Sequence, residues 1–382
     1  MKKKIFVVHH HKNFSGAARS IGELILSLKN KIDFYVICPR GSSSSYFKKI
    51  NKKVIEVKMV PRFNHFEIGH YTGVRWFLIL RELYAFLYFF LFLIKLKLKF
   101  NKISFFHLNE LELIICAPLI NLFFDAKITA HLRSRIEKKK GKIRSNILKK
   151  LIKKYLFKII AIDYDCYETT PLKKITKIIY NGIFHKNLKI SKKNNSLLTF
   201  GFIGSFIKRK GIFELIKVFK NLDLKNYNVK LICVGNTGKN NFLLNIFHLE
   251  KNFNKFLHEE NMLSNKNIKI LPPTYNLSNF YSKIDVIIFP GYMNAVGRPV
   301  IEASWFKKPS IIGLNKYNKD TAVKNTCLIF EPGNLLSLEK KILYLVRNKS
   351  KIKKMGKNAF FNAKKNFDIK KNSVKFLKLL EI

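Results

Sequence analysis

Two stretches in the second half of the chain combine glycine turns, a basic side chain and a carboxylate in a spacing suited to a phosphorylated ligand. The first reads LTFGFIGSFIKRKGIFELI: Gly201 and Gly204 end a strand-like run, Ser205 follows, and Lys210-Gly211 lead into a helical pattern. A small-residue turn at a helix N-terminus presents backbone N–H groups that have no partner within the helix, together with the positive end of its dipole. That combination suits a diphosphate. Lys210 adds a point charge at the same place.

The second stretch reads DVIIFPGYMNAVGRPVIEASWFKKPSIIG. A strand ends at Pro290, a loop carries Gly291, Asn294 and Gly297, and Pro299 marks the first turn of a helix. Glu302 is expected within about the first turn, where a carboxylate can accept hydrogen bonds from two vicinal hydroxyls such as those of a ribose. The bland reading is a carboxylate placed favourably on the helix dipole. Arg298 and the glycines of the loop converge on the same place.

Near the start the chain reads FVVHHHKNFSGAARSIGEL, three histidines ahead of a small-residue loop at Ser15–Ala18. At a strand end the three consecutive histidines His9, His10 and His11 alternate faces and cannot all point at one ion, which argues against a metal site. They then read as neighbours of the loop at Gly16, with His11 the one expected to reach it.

These groups need a frame, and strand-like runs rich in Val, Ile and Phe alternate with helical patterns from end to end. KIFVVHH, DFYVICP, KVIEVKMV, KISFFHLN, AKITAHL and KIIAIDY occupy the first half. LTFGFIGSF, NVKLICVGN, NIKILPP, DVIIFPG, PSIIGL and CLIFEPG follow. Such alternation predicts parallel sheets with helices on both faces. The polar, Lys/Asn-rich stretch HKNLKISKKNNSLL separates two series. The expected architecture is α/β, with two doubly wound Rossmann-like domains at 1–185 and 196–365, and a helix at 366–382 that packs back on the first. Ligands of such domains sit beyond the carboxyl ends of the strands, where these motifs fall.

The chain has 382 residues and a formal net charge of +49. A polyphosphate partner would select clustered Lys and Arg. Residues 1–190 hold 38 basic and 12 acidic side chains, and residues 191–382 hold 35 and 12, so the excess is spread evenly. This weakens a nucleic-acid reading and still favours anionic membranes and phosphorylated ligands. The five cysteines are odd in number and widely spaced, as expected of reduced core thiols. The apolar run after MKKK is Ile5–Val8, short of a signal-peptide core of about 7–15 residues, so a cytoplasmic protein is expected.

Two segments suit a membrane surface. Leu83–Ile94 holds twelve consecutive apolar residues against the ~20 of a spanning helix, and reads either as a buried helix covering the sheet or as an interfacial one. Arg133–Lys158 holds twelve basic residues and one acid, Glu137, with Ile147, Leu148, Leu151, Ile152, Tyr155 and Leu156 expected on one face. It reads as a solvated basic face or as a dock for anionic headgroups, at about 1 kcal/mol per basic residue.

Taken in order, the two glycine-bearing stretches resemble the donor motifs of the family 4 glycosyltransferases, retaining enzymes of the GT-B fold with two Rossmann-like domains facing a central cleft. The first resembles that family's glycine, spacer, Lys-Gly loop. The second resembles its Glu-x7-Glu motif, followed by an alanine and a K-P-S-I strand. SGAARSIGEL resembles the family's N-terminal glycine loop, KITAHLRS its histidine-bearing strand, and IIYNGIF the stretch before the crossover between domains.

The resemblance implies that Lys210 contacts the donor diphosphate, that Glu302 holds the nucleotide ribose, and that Gly16 and Gly204 line the donor site. His131 matches the family histidine beside the transferred sugar and is the candidate catalytic residue. Two positions depart from the pattern. Ser205 replaces an arginine, for which Lys208, Arg209 or Arg298 are the available substitutes. Asn294 replaces the first glutamate, and can still hydrogen-bond sugar hydroxyls as donor and acceptor. The literal DYD at Asp163–Asp165, a metal-binding pattern of another glycosyltransferase fold, lies away from the donor motifs and is set aside.

The reading this implies is a hexosyltransferase-type enzyme taking a nucleotide sugar, a UDP-sugar above all, to a membrane-associated glycan or lipid-linked acceptor in cell-surface polysaccharide synthesis. No cofactor or metal is expected, because Lys210, backbone N–H groups and helix dipoles would hold the leaving charge. No carboxylate stands out as a covalent nucleophile, so front-face transfer is expected. Two rivals remain open: a sugar-nucleotide epimerase of the same fold, and a basic nucleic-acid-binding protein.

Overall fold

The computed structural model describes residues 2–63, 77–136, 142–184, 197–225, 227–236, 253–260, 265–274, 276–292 and 296–381. The chain divides into two compact units, Met1–Phe184 with Phe367–Ile382, and His185–Asn366. The polar stretch expected as a linker lies mostly outside the described residues, as does Asn294.

The first unit holds seven strands, β1 (Lys3–Val8), β2 (Ile32–Pro39), β3 (Val54–Val57), β4 (Phe105–Leu108), β5 (Lys127–Leu132), β6 (Leu156–Ala161) and β7 (Thr176–Ile178). They form one sheet in the order β3-β2-β1-β4-β5-β6-β7, and every pairing is parallel. Alternation along β1 divides the core. Phe6 and Val8 join Phe106, Leu108, Phe89 and Leu93 on one side, while Ile5 and Val7 join Ile21, Ile25 and Phe376 on the other. Because the central strands are covered on both faces, their sequences are nearly all apolar instead of alternating with polar residues.

The second unit holds β8 (Leu198–Ile203), β9 (Val229–Val234), β10 (Ile268–Leu271), β11 (Val286–Phe289), β12 (Ser310–Gly313) and β13 (Cys327–Phe330). Their order is β10-β9-β8-β11-β12-β13, again parallel throughout. In each sheet the order reverses beside the first strand, between β1 and β4 and between β8 and β11. At such a reversal of strand order, sheets of this kind bind their ligands beyond the carboxyl ends of the strands. The helix Ile369–Leu379 belongs to the first unit, where Asp368 caps it and Asn372 Nδ2 donates to Tyr180 O at 3.0 Å.

Three local expectations change, and the DYD sequence takes a structural role. Strand β1 ends at Val8, so the three histidines lie beyond it and need not alternate. Leu156 is the first residue of β6 and leaves the apolar face expected of the helix Lys142–Tyr155. Asp163, of the DYD sequence, caps the helix Tyr164–Thr169 by accepting from Cys166 N at 2.7 Å. The helix Leu78–Lys99 is covering and exposed at once: Ala85, Phe89, Leu93 and Leu96 are buried against the sheet, while Leu80, Leu83, Leu87, Leu91 and Leu98 stand in solvent. No helix among the described residues is long and apolar enough to cross a membrane, and all five cysteines are buried and free.

Candidate functional site

In the second unit the turn after β8 is built from the strand end outward. Gly204 N donates to Val234 O at 3.0 Å and Phe206 N to Asn236 O at 2.7 Å, which fixes Ser205 at an exposed tip. A 3-10 turn at Lys208–Lys210 then delivers Gly211, whose φ of +71° begins the helix Ile212–Leu224. A Cβ on Gly211 would lie 2.2 Å from Pro290 O, so both the left-handed backbone and the close approach require glycine. Lys210 is half-buried, with its ammonium 5.5 Å from the Phe289 ring centroid. Burial, and then the like charge of Arg209, lower its pKa. Such an ammonium gains from an incoming anion, because the surroundings do little to stabilise its charge.

The loop after β11 meets this turn. Tyr292 N donates to Arg209 O at 3.2 Å, and a Cβ on Gly297 would come 2.3 Å from the Phe289 ring. Phe289 therefore backs both motifs. Gly297 is the N-cap of the helix Arg298–Trp305, with Pro299 in its first turn. Glu302 is the fifth residue of this helix, one turn further in than expected. Its Oε1 accepts from Arg298 Nε at 2.7 Å and its Oε2 from the Tyr281 hydroxyl at 2.9 Å. Arg298, named as a substitute phosphate ligand, is thus engaged with Glu302. Each carboxylate oxygen keeps acceptor capacity for a ribose hydroxyl.

In the first unit Gly16 opens the helix Gly16–Leu28, capped by Ser15 Oγ, which accepts from Ala18 N at 3.2 Å. A Cβ on Gly16 would meet nothing within 4 Å, so packing alone does not demand glycine there. The link to this loop runs through His9 and not His11. Asn109 Nδ2 is 2.9 Å from His9 Nδ1 and 3.4 Å from Ala17 O. The same Asn109 accepts from Arg133 Nη2 at 2.8 Å, while Arg133 Nη1 donates to Asn181 Oδ1 at 2.9 Å.

His131 sits at the end of β5 and lines a small pocket with Arg133, Tyr180, Asn181 and Phe376. Its Nδ1 is 2.6 Å from His107 Nε2, and His107 Nδ1 is 2.9 Å from Thr129 Oγ1. The Thr129 hydroxyl lies 3.5 Å from Phe106 O, and with its proton turned there it accepts from His107. Followed outward, that polarity makes His131 Nδ1 the donor to His107 and leaves Nε2 with its lone pair. Burial, and then Arg133, keep both imidazoles neutral, His107 at about 3 and His131 well below its ordinary value.

The remaining histidines pair with two glutamates after β4. His10 Nε2 is 2.6 Å from Glu112 Oε1, and His11 Nε2 is 3.2 Å from Glu110 Oε1. Burial alone would raise the Glu112 carboxyl, but His10, Arg62 and His11 outweigh it and hold it down at about 2. Sequence reading missed Glu110, Glu112, Asn109, Thr129, Tyr281 and Phe289. Only the dense acid spacing at Glu110–Glu112 gave any local signal, since the rest act through strand register.

The architecture is the GT-B fold. The Anabaena protein HepE in complex with UDP-glucose superposes with a TM-score of 0.72 at 14% identity, covering 99% of each chain. Sucrose-phosphate synthase from Thermosynechococcus elongatus gives 0.73 at 14% identity, covering 100% of this chain and 98% of that one. In the second unit, residues 184–360 match the family described as glycosyl transferases group 1. The capsular polysaccharide biosynthesis glycosyltransferase CapM of Staphylococcus aureus is 31% identical over 188 residues, 47% of each chain. The match to this relative spans about half its length.

Proposed function

We propose that the chain transfers a sugar, with retention, from a UDP-sugar to a membrane-associated glycan or lipid-linked acceptor in cell-surface polysaccharide synthesis. The observation that carries the reading is the meeting of the Gly204–Gly211 turn with the Phe289–Glu302 segment at the switch point of the second sheet. Lys210 and the N–H groups opening the helix Ile212–Leu224 would receive the diphosphate, and Glu302 the ribose. Asn294 would hydrogen-bond the donor sugar, and the His131 Nε2 lone pair would accept from a sugar hydroxyl. The leaving phosphate would take the acceptor's proton in a front-face transfer, with no divalent ion in the reaction. The HepE complex with UDP-glucose supports the nucleotide, and the likeness to CapM supports the polysaccharide.

The test is UDP binding and UDP-sugar turnover in Lys210→Ala. Removing one preorganised cationic donor to the leaving group is expected to lower kcat by about 100-fold or more. Near-normal turnover would overturn the assignment.

The membrane part rests on the helix Leu78–Lys99. Leu80, Leu83, Tyr84, Leu87, Leu91, Ile94 and Leu98 are exposed at i, i+3 and i+4 spacing. The helix is about 33 Å long at 1.5 Å per residue, and an apolar stripe of that length in water marks an interaction surface. Lys95, Lys97 and Lys99 at its end suit anionic headgroups. Vesicles containing phosphatidylglycerol are expected to bind the protein and to lose it in Leu87→Glu/Leu91→Glu. Equal binding by that variant would exclude the stripe as the membrane contact.

A further inference from the structure

We propose that His10, His11, Glu110 and Glu112 form a site for a zinc ion that ties the loops after β1 and β4 together. Each residue offers one ligand atom, and the four atoms lie within 4.8 Å of one another. A tetrahedral ion with bonds of about 2.0–2.2 Å spaces its ligand atoms roughly 3.3–3.6 Å apart, so closure needs side-chain shifts of about 1 Å. Two imidazoles with two harder carboxylates are all donors that Zn²⁺ takes, and the imidazoles favour it over Mg²⁺ or Ca²⁺. Counted with neutral imidazoles, their charge of two minus matches a divalent cation.

The frame already brings the ligands together. Their parent strands β1 and β4 are paired neighbours at the point where strand order reverses. Asn109 N donates to Val8 O at 3.0 Å, Leu113 N to Glu110 O at 3.1 Å, and Phe63 N to Glu112 O at 2.6 Å, so backbone bonds hold both loops. The nearby cation Arg62 is engaged by Glu82 through its backbone N–H at 2.8 Å and its guanidinium at 3.4 Å.

An independent observation points to a ligand. The His10 side chain is 2% exposed, and neither of its ring nitrogens has a hydrogen-bond partner among the described residues. Among these residues Nδ1 has no neighbour to bond with, and the one polar contact of Nε2 is Glu112 Oε1 at 2.6 Å. A buried nitrogen left in this way costs about 1–3 kcal/mol. A metal bond to its lone pair removes that cost at one of the two nitrogens. The ion would act as a strut and would stabilise the approach to Ser15 and Gly16, which Asn109 already touches through His9 and Ala17.

The experiment uses the full chain and zinc chloride, with bound metal measured after gel filtration and thermal unfolding measured with and without zinc. The expected result is one Zn²⁺ per chain, a raised Tm, and the d–d absorption of a tetrahedral site when Co²⁺ replaces zinc. Removing a partner outside the ligand set typically weakens a site by roughly 10–100-fold, so losing a ligand in His11→Ala should weaken binding by roughly tenfold or more. His11 is partly exposed, so this variant is expected to fold, with far-UV circular dichroism as the check; Glu110→Gln is the second variant. Zinc binding of equal strength in folded His11→Ala and Glu110→Gln, or no bound zinc in the parent, would overturn the proposal and leave two His–Glu ion pairs.

Discussion

Glu302→Ala is expected to lower the stability of the second unit by about 3–5 kcal/mol, out of the roughly 5–15 kcal/mol that holds a domain folded. The side chains of Arg298 and Glu302 are only 10% and 6% exposed, and they are joined at 2.7 Å one helical turn apart. Removing the carboxylate takes its ion-pair partner from a buried guanidinium and leaves the Tyr281 hydroxyl with Pro299 O at 3.2 Å, whereas removing the pair as a unit spares the cost of the buried charge. Arg298→Met/Glu302→Met is therefore expected to unfold close to the parent in urea. Glu302→Gln, which can still accept from the Tyr281 hydroxyl, falls between. Calorimetry with UDP separates the two roles of Glu302, because Glu302→Ala and the double variant lose the ribose acceptor and should bind UDP poorly. Parent-like UDP affinity in the stable double variant would remove Glu302 from the donor site.

Why Glu302 was legible and its surroundings were not is a matter of range. The two sheets announce themselves locally, because strands covered on both faces are continuous apolar runs such as VKLICV and DVIIFP. Gly211 and Pro299 mark their turns through backbone constraints carried by the residue itself. The partners of Glu302 and Lys210 have no such mark. Tyr281 lies 21 residues before Glu302 and looks like an ordinary core aromatic, and Phe289 looks like the end of a strand. Their roles arise from the register and order of strands, which periodicity does not encode. The same limit explains the histidines. The alternation argument assumed that β1 ran through His11, and with the strand ending at Val8 two rings turn toward glutamates a hundred residues away. The helix Leu78–Lys99 shows the converse: composition announced an apolar segment, but only its placement on the sheet shows which half of its surface is left in water.

Acid is expected to destabilise the first unit through His107 and His131. Both imidazoles are buried and neutral in the folded chain, with pKa values held below the ordinary 6.5, whereas in the unfolded chain they titrate near that value. Between these values the unfolded chain binds more protons, so stability falls as pH falls. The contribution is fully present above about pH 6.5 and is lost progressively toward the folded value, about 3 for His107. At pH 5 the cost for His107 is about 2 kcal/mol, and His131 adds a cost of the same sign. Urea unfolding at pH 7.5 and pH 5 measures it. His131→Gln, whose amide can still donate to His107, is expected to remove part of the acid dependence while abolishing the proposed lone-pair contact to the sugar. His107→Gln is expected to remove the other part and to impair turnover less, because His107 acts on the site only by fixing the tautomer of His131. If neither variant flattens the pH dependence, the paired imidazoles are not the groups that make the unit acid-sensitive, and the tautomer chain from Thr129 to His131 loses its support.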